Sequence, residues 1–204
     1  MRNRLSRIVL SLVVGSIVVA IGLYLGWFIA IGLQAARTLS GSVRAQPSRE
    51  TVALVTDVTR WTFLGLTTGL GLAFAALHKH RVRFLLASIA GFALGGALAS
   101  WLVVTSLDRA APAATLALPL GGALAGLLLG LGARLDIRSA LMLIVVALAM
   151  MIAGPFIDPR SSVMLPSPLR LTLSDWLILL APGALIGAIL AALVPTGSDT
   201  SQTA

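Results

Sequence analysis

The feature that most constrains this chain is a succession of apolar runs, each near the span length of a bilayer and separated by polar turns. A helix of about 20 apolar residues crosses a hydrocarbon core of about 30 Å. Backbone in lipid must satisfy its own hydrogen bonds, so runs of this kind form helices rather than open strands. Six spans follow, at about 8–33, 61–78, 84–106, 114–133, 139–157 and 176–195. The expected fold is therefore all-α: a polytopic transmembrane helix bundle forming one domain over 1–195.

Composition agrees. The chain is 58% hydrophobic and 11% charged, against roughly 25% charged residues in soluble domains. Its formal charge of +8 would suggest nucleic acid as the partner of a soluble protein. Here arginines at helix ends orient spans and meet anionic headgroups, so the expected partner is the lipid bilayer and not nucleic acid. Cysteine is absent, which removes disulfides, thiolate metal sites and thiol catalysis. The first run, Ile8–Leu33, has 26 residues, too long for a signal-peptide core, and reads as a retained span.

Placing Arg2, Arg4 and Arg7 inside puts Lys79, Arg81, Arg83, Arg134 and Arg138 on the same side, all in short turns. The other side receives Arg37, Arg44, Arg49, Arg60, Arg109, Arg160 and Arg170, mostly spread over the two long loops. This density difference, rather than the raw count, orients the chain with both termini cytoplasmic. Trp27, Trp61, Trp101 and Trp176 then all fall at outer span ends, where indoles sit among headgroups. A prokaryotic cytoplasmic (inner) membrane is the expected location.

Residues 34–60 read as an outer loop with a helical extension, since Ser48-Arg49-Glu50-Thr51 opens a helix and Val52, Val55, Val58 and Thr59 share one face. Residues 157–175 read as an irregular outer loop containing Pro159, Pro166 and Pro168, closed by Ser174 or Asp175 as the cap of the last helix. The polar end, 196–204, reads as a disordered tail.

Small residues four apart cut a groove along a helix and let backbones approach where lipid supplies no hydrophobic drive. The helix-packing set is Gly22 and Gly26, Gly65 and Gly69, Gly91 and Gly95, Gly122 and Gly126, and Gly183 and Gly187. Only the fifth span lacks such a stripe. These grooves either satisfy one another or leave one, that of the first span, for a partner helix. GGALAS at 95–100, GGALAG at 121–126 and GALIG at 183–187 further suggest a hairpin repeated three times; a chain rich in Gly, Ala and Leu also matches itself by chance.

Pro119 and Pro182 interrupt apolar runs, and broken helices often line transporter sites. With Thr67 and Thr68 they form the candidate ligand-lining set; Pro119 could instead occupy a harmless first turn. His78 and His80 make a poor metal site, because helical positions two apart face apart and no Cys, Asp or Glu stands beside them. No metal or cofactor is expected. No charged residue falls at the middle of an expected span, which disfavours a proton-driven pump. The intramembrane serines and threonines lack a nearby base, so no catalytic residue is assigned. A non-enzymatic scaffold or accessory subunit, packing with other membrane protein subunits, is the leading reading. A transport or permease component for a small uncharged or lipophilic substrate comes second. A membrane enzyme using Asp108, Asp158 and Asp175 on the outer face comes third.

Overall fold

The computed structural model describes residues 2–39, 49–77, 80–105, 112–135, 138–157 and 172–194. They form six helices: α1 Arg2–Leu39, α2 Arg49–Ala75, α3 Arg81–Thr105, α4 Pro112–Gly132, α5 Ser139–Ile157 and α6 Leu173–Leu193. Among the described residues three segments are long and apolar enough to cross a membrane, Arg4–Ile29, Arg81–Val104 and Leu173–Leu193, and two shorter ones are apolar, Leu116–Gly132 and Ser139–Ala153. Helix α2 differs from its neighbours because its charge-free part, after Arg60, is short and diluted by Thr62, Thr67, Thr68 and three glycines. It begins well before the expected residue 61, taking in the extension that the valine spacing suggested. The tail, and the proline-rich loop up to 171, lie outside the described residues.

The helices close into a ring in chain order: α1 packs on α2, α2 on α3, α3 on α4, α4 on α5, α5 on α6, and α6 back on α1. Each junction with a glycine contact is antiparallel, as short connections require: Gly22 faces Leu64 and Thr67 while Gly26 faces Arg60, and Gly91 faces Ala125 while Gly95 faces Gly121. The α5–α6 junction is the least extensive. Phe84, Phe92, Leu64, Leu72, Leu129, Met142, Met150 and Ile186 are buried in the bundle. Leu5, Val9, Val13, Ile17, Phe28, Leu86, Leu94, Ile144 and Leu148 are exposed on the periphery. Apolar residues on both the inside and the outside of a helix are what a lipid solvent allows.

Helix ends are fixed by specific chemistry. Thr172, rather than Ser174 or Asp175, is the N-cap of α6, with Asp175 returning a bond to the Thr172 backbone in a capping box. Helix α4 ends in a Schellman motif: Leu135 N–H donates to the Gly130 carbonyl and Arg134 N–H to that of Leu131. Arg134 holds φ 57° there, where glycine is usual. His80 also has positive φ, 60°, and its carbonyl accepts from Phe84 N–H in the first turn of α3. His78 lies outside the described residues.

Arginines gather at one end of the ring and donate to helix C-terminal carbonyls. Arg81 Nε bonds Leu77 and Arg83 Nη2 bonds Leu131. Arg4 Nη2 bonds Ala192, Arg7 Nη2 bonds both Ala191 and Val194, and Arg138 Nη1 bonds Leu193. A helix leaves its last four carbonyls without intrahelical donors, and cations favour that negative pole. These residues therefore finish helices.

One expectation is corrected, and one alternative is removed. Trp61 is 3% exposed and packs on Gly96 and against Phe92 at 6.2 Å between ring centroids, so it is an interior residue and not a headgroup anchor. Trp101, 58% exposed, does face outward. Pro119 lies inside α4, which starts at Pro112, so Pro112 and not Pro119 takes the permissive first turn.

Candidate functional site

All ten glycines of the expected packing set sit at helix junctions. A methyl at Gly65 would lie 2.7 Å from the Ser88 carbonyl oxygen, and one at Gly69 2.8 Å from Ser88 Cβ. At Gly122 it would meet the Val146 carbonyl at 2.9 Å, and at Gly126 the Leu143 Cα at 2.8 Å. At Gly183 it would meet Ser16 Cα at 2.8 Å, and at Gly187 the Ser11 carbonyl carbon at 2.8 Å. The three even-numbered helices thus use matching glycine pairs to face the next odd helix in the same sense round the ring: α2 onto α3, α4 onto α5, α6 onto α1. This cyclic pattern is what a thrice-copied hairpin produces.

The groove of the first span is filled from within the chain, since Leu64 and Thr67 cover Gly22 and the Arg60 backbone covers Gly26. Gly130, which continues the Gly122 and Gly126 stripe, is equally close-packed, and so are Gly15, Gly96 and Gly121, which were missed. Ser11-xxx-Gly15 is itself a small-residue pair at the right spacing, and the Gly95-Gly96 doublet could have signalled room for a large ring. Helix α5 carries no corresponding glycine, and its junction with α6 is the thin one.

Polar side chains between the helices are mostly engaged. Ser88 Oγ donates to the Gly65 carbonyl at 2.7 Å, linking α3 to α2. Ser16, Thr59, Thr62 and Thr67 donate to carbonyls one turn back, the usual resting place for a hydroxyl on a helix in lipid. Ser11, Thr68 and Ser139 hydroxyls are buried without a hydrogen-bond partner. Asp57 is within α2, not in a loop; Ser100 Oγ of α3 donates to it at 3.0 Å, and Arg60 lies 3.9 Å away. The group is a paired carboxylate near the α2–α3 junction, with side-chain exposures of 13% for Asp57 and 22% for Arg60.

The candidate ligand-lining residues occupy different depths. Gly121, two residues after Pro119, faces Gly95 beside Trp61. Thr68 lies seven residues further along α2, about 10 Å deeper at 1.5 Å per residue. Pro182, buried in α6, adjoins Gly183 opposite Gly15, which is seven residues from the Gly22 that faces Thr67. Three layers separate the four residues by roughly 20 Å along the bundle. Of the three candidate aspartates, Asp108 and Asp158 lie outside the described residues, and Asp175 is engaged with Thr172. Among the described residues no three His, Cys, Asp or Glu side chains gather as metal ligands.

Fold and site together define an all-α bundle of six helices, three of them long and apolar enough to cross a membrane and two shorter and apolar. No protein-family model, no curated protein and no solved structure matches the chain.

Proposed function

We propose that this chain is an integral membrane protein of a prokaryotic cytoplasmic membrane, crossing six times with both termini inside. It acts without catalysis, as a scaffold or accessory subunit beside other membrane proteins. The observation that carries this is the use made of the polar inventory: arginines finish helix ends, Ser88, Ser100 and Asp57 join α2 to α3, and Ser16, Thr59, Thr62 and Thr67 bond their own helices. The hydroxyl that does meet a carboxylate, Ser100 on Asp57, ties α3 to α2 with Arg60 beside the same carboxylate, while apolar side chains cover the periphery.

The transport reading keeps one observation of its own. Thr68 is fully buried with an unpartnered hydroxyl, and the thin α5–α6 junction is a lateral route by which a lipophilic molecule would enter. Native mass spectrometry from the mildest effective detergent separates the two. A stoichiometric membrane subunit migrating with the chain supports the scaffold. A lone chain carrying a reproducible small-molecule mass, lost in Thr68→Val, overturns it in favour of transport. For topology, a cysteine at position 42 is expected to label only from outside, and labelling from the cytoplasm would refute the orientation.

A further inference from the structure

The arginine-rich end of the ring is not uniform. At the α2–α3–α4 side each helix terminus receives one guanidinium, but at α6 three converge: Arg4 and Arg7 from α1 and Arg138, the residue before α5. A guanidinium carries five N–H donors and a full positive charge. Four contacts to carbonyls use a minority of the donors on these three groups, and a helix C-terminus supplies only about half a negative charge. Among the described residues no carboxylate pairs with them; the ion pair seen there is Asp57–Arg60. Arg7 Nε is buried without an acceptor. Among the described residues the cluster therefore holds excess charge and unused donors at the junction where helix packing is thinnest. Exposed apolar side chains are close to it in sequence: Leu5, next to Arg4, is 67% exposed, and Leu141, one helical turn after Arg138, 49%.

An anion with several oxygen acceptors and an apolar body meets all these conditions at once. We infer that the α1–α5–α6 corner binds the phosphate of an anionic membrane lipid, with the headgroup on Arg4, Arg7 and Arg138 and the acyl chains along Leu5 and Leu141. Planar guanidiniums match phosphate oxygens well, and basic pockets between helices at the membrane surface select anionic headgroups. The inference rests on the membrane reading proposed above.

The test uses the full chain in discs of equal parts phosphatidylglycerol and phosphatidylcholine, with retained lipids counted by native mass spectrometry after release. Wild type is expected to retain phosphatidylglycerol selectively. Arg4→Gln and Arg138→Gln, both at exposed positions, should each weaken that preference about fivefold, and Arg83→Gln at the other side of the ring should leave it intact. Equal retention of the two lipids by wild type would overturn the site, as would an unchanged preference in the Arg4→Gln/Arg138→Gln double variant. Full displacement by inorganic phosphate at matched ionic strength would overturn the lipid assignment. A chain that never enters the discs would instead sink the membrane reading itself.

Discussion

Gly126→Ala tests the packing argument most directly. The added methyl would lie 2.8 Å from Leu143 Cα and closer still to the Met142 carbonyl oxygen, where ordinary contact begins at 3.4 Å. Helix α5 must therefore retreat from α4 by at least about 0.6 Å at that level, and the atoms in the way are backbone rather than a movable side-chain tip. Inserting a methyl into a well-packed site costs roughly 1–3 kcal/mol. Alanine's better helix propensity returns about 1 kcal/mol, so the net loss is on the order of 1 kcal/mol. Gly32→Ala supplies the control, because nothing lies within 4 Å of its added methyl; only the propensity gain remains. Reversible SDS or steric-trapping unfolding in lipid-doped micelles should rank Gly32→Ala above wild type and Gly126→Ala below it. If the two alanines shift stability alike, close backbone approach at α4–α5 is not what holds these helices.

Trp61→Ala should destabilise by roughly 3–5 kcal/mol, the range for emptying a large buried ring site, whereas Trp101→Ala should change thermal stability little; equal effects would return Trp61 to the interface. Arg134→Gly should stabilise by about 1 kcal/mol by removing left-handed strain at the Schellman position, read as a raised melting temperature with the helix content unchanged. Thr172→Ala should cost about 1 kcal/mol and increase amide exchange in the first turn of α6, while Thr172→Ser should restore most of the protection.

Much of the architecture was legible because lipid imposes simple length rules. Helix α5 runs over the residues expected for it, 139–157, since its apolar run begins just past Arg138 and is uninterrupted. Helix α2 was harder, as its polar first half follows loop composition even though the valine spacing marks a helix. The Asp57–Ser100 contact joins residues 43 apart in sequence, and no local pattern announces it. Glycine spacing reveals a groove but not its occupant: Gly22 and Gly26 look the same whether they receive α2 or another protein. Trp61 was misread for a related reason. A tryptophan at the start of an apolar run suits a headgroup layer, and only the opposite helix, with its hole at Gly96, decides otherwise. The arginines were read by side and not by partner, because a positive-inside count is blind to which carbonyl each one meets.

Closing the ring through α1 and α6 sets a schedule for biosynthesis. Gly15 finds its place against Gly183, 168 residues later in the chain. At translation speeds of about 5–20 residues per second, the first helix waits roughly 10–30 s for its last neighbour. On the membrane reading proposed above, the Ser11–Gly15 face, with its unpartnered hydroxyl and bare backbone, stands uncovered during that interval. A chain that stops before α6 therefore leaves the Gly15 backbone without the neighbour that covers it in the finished ring.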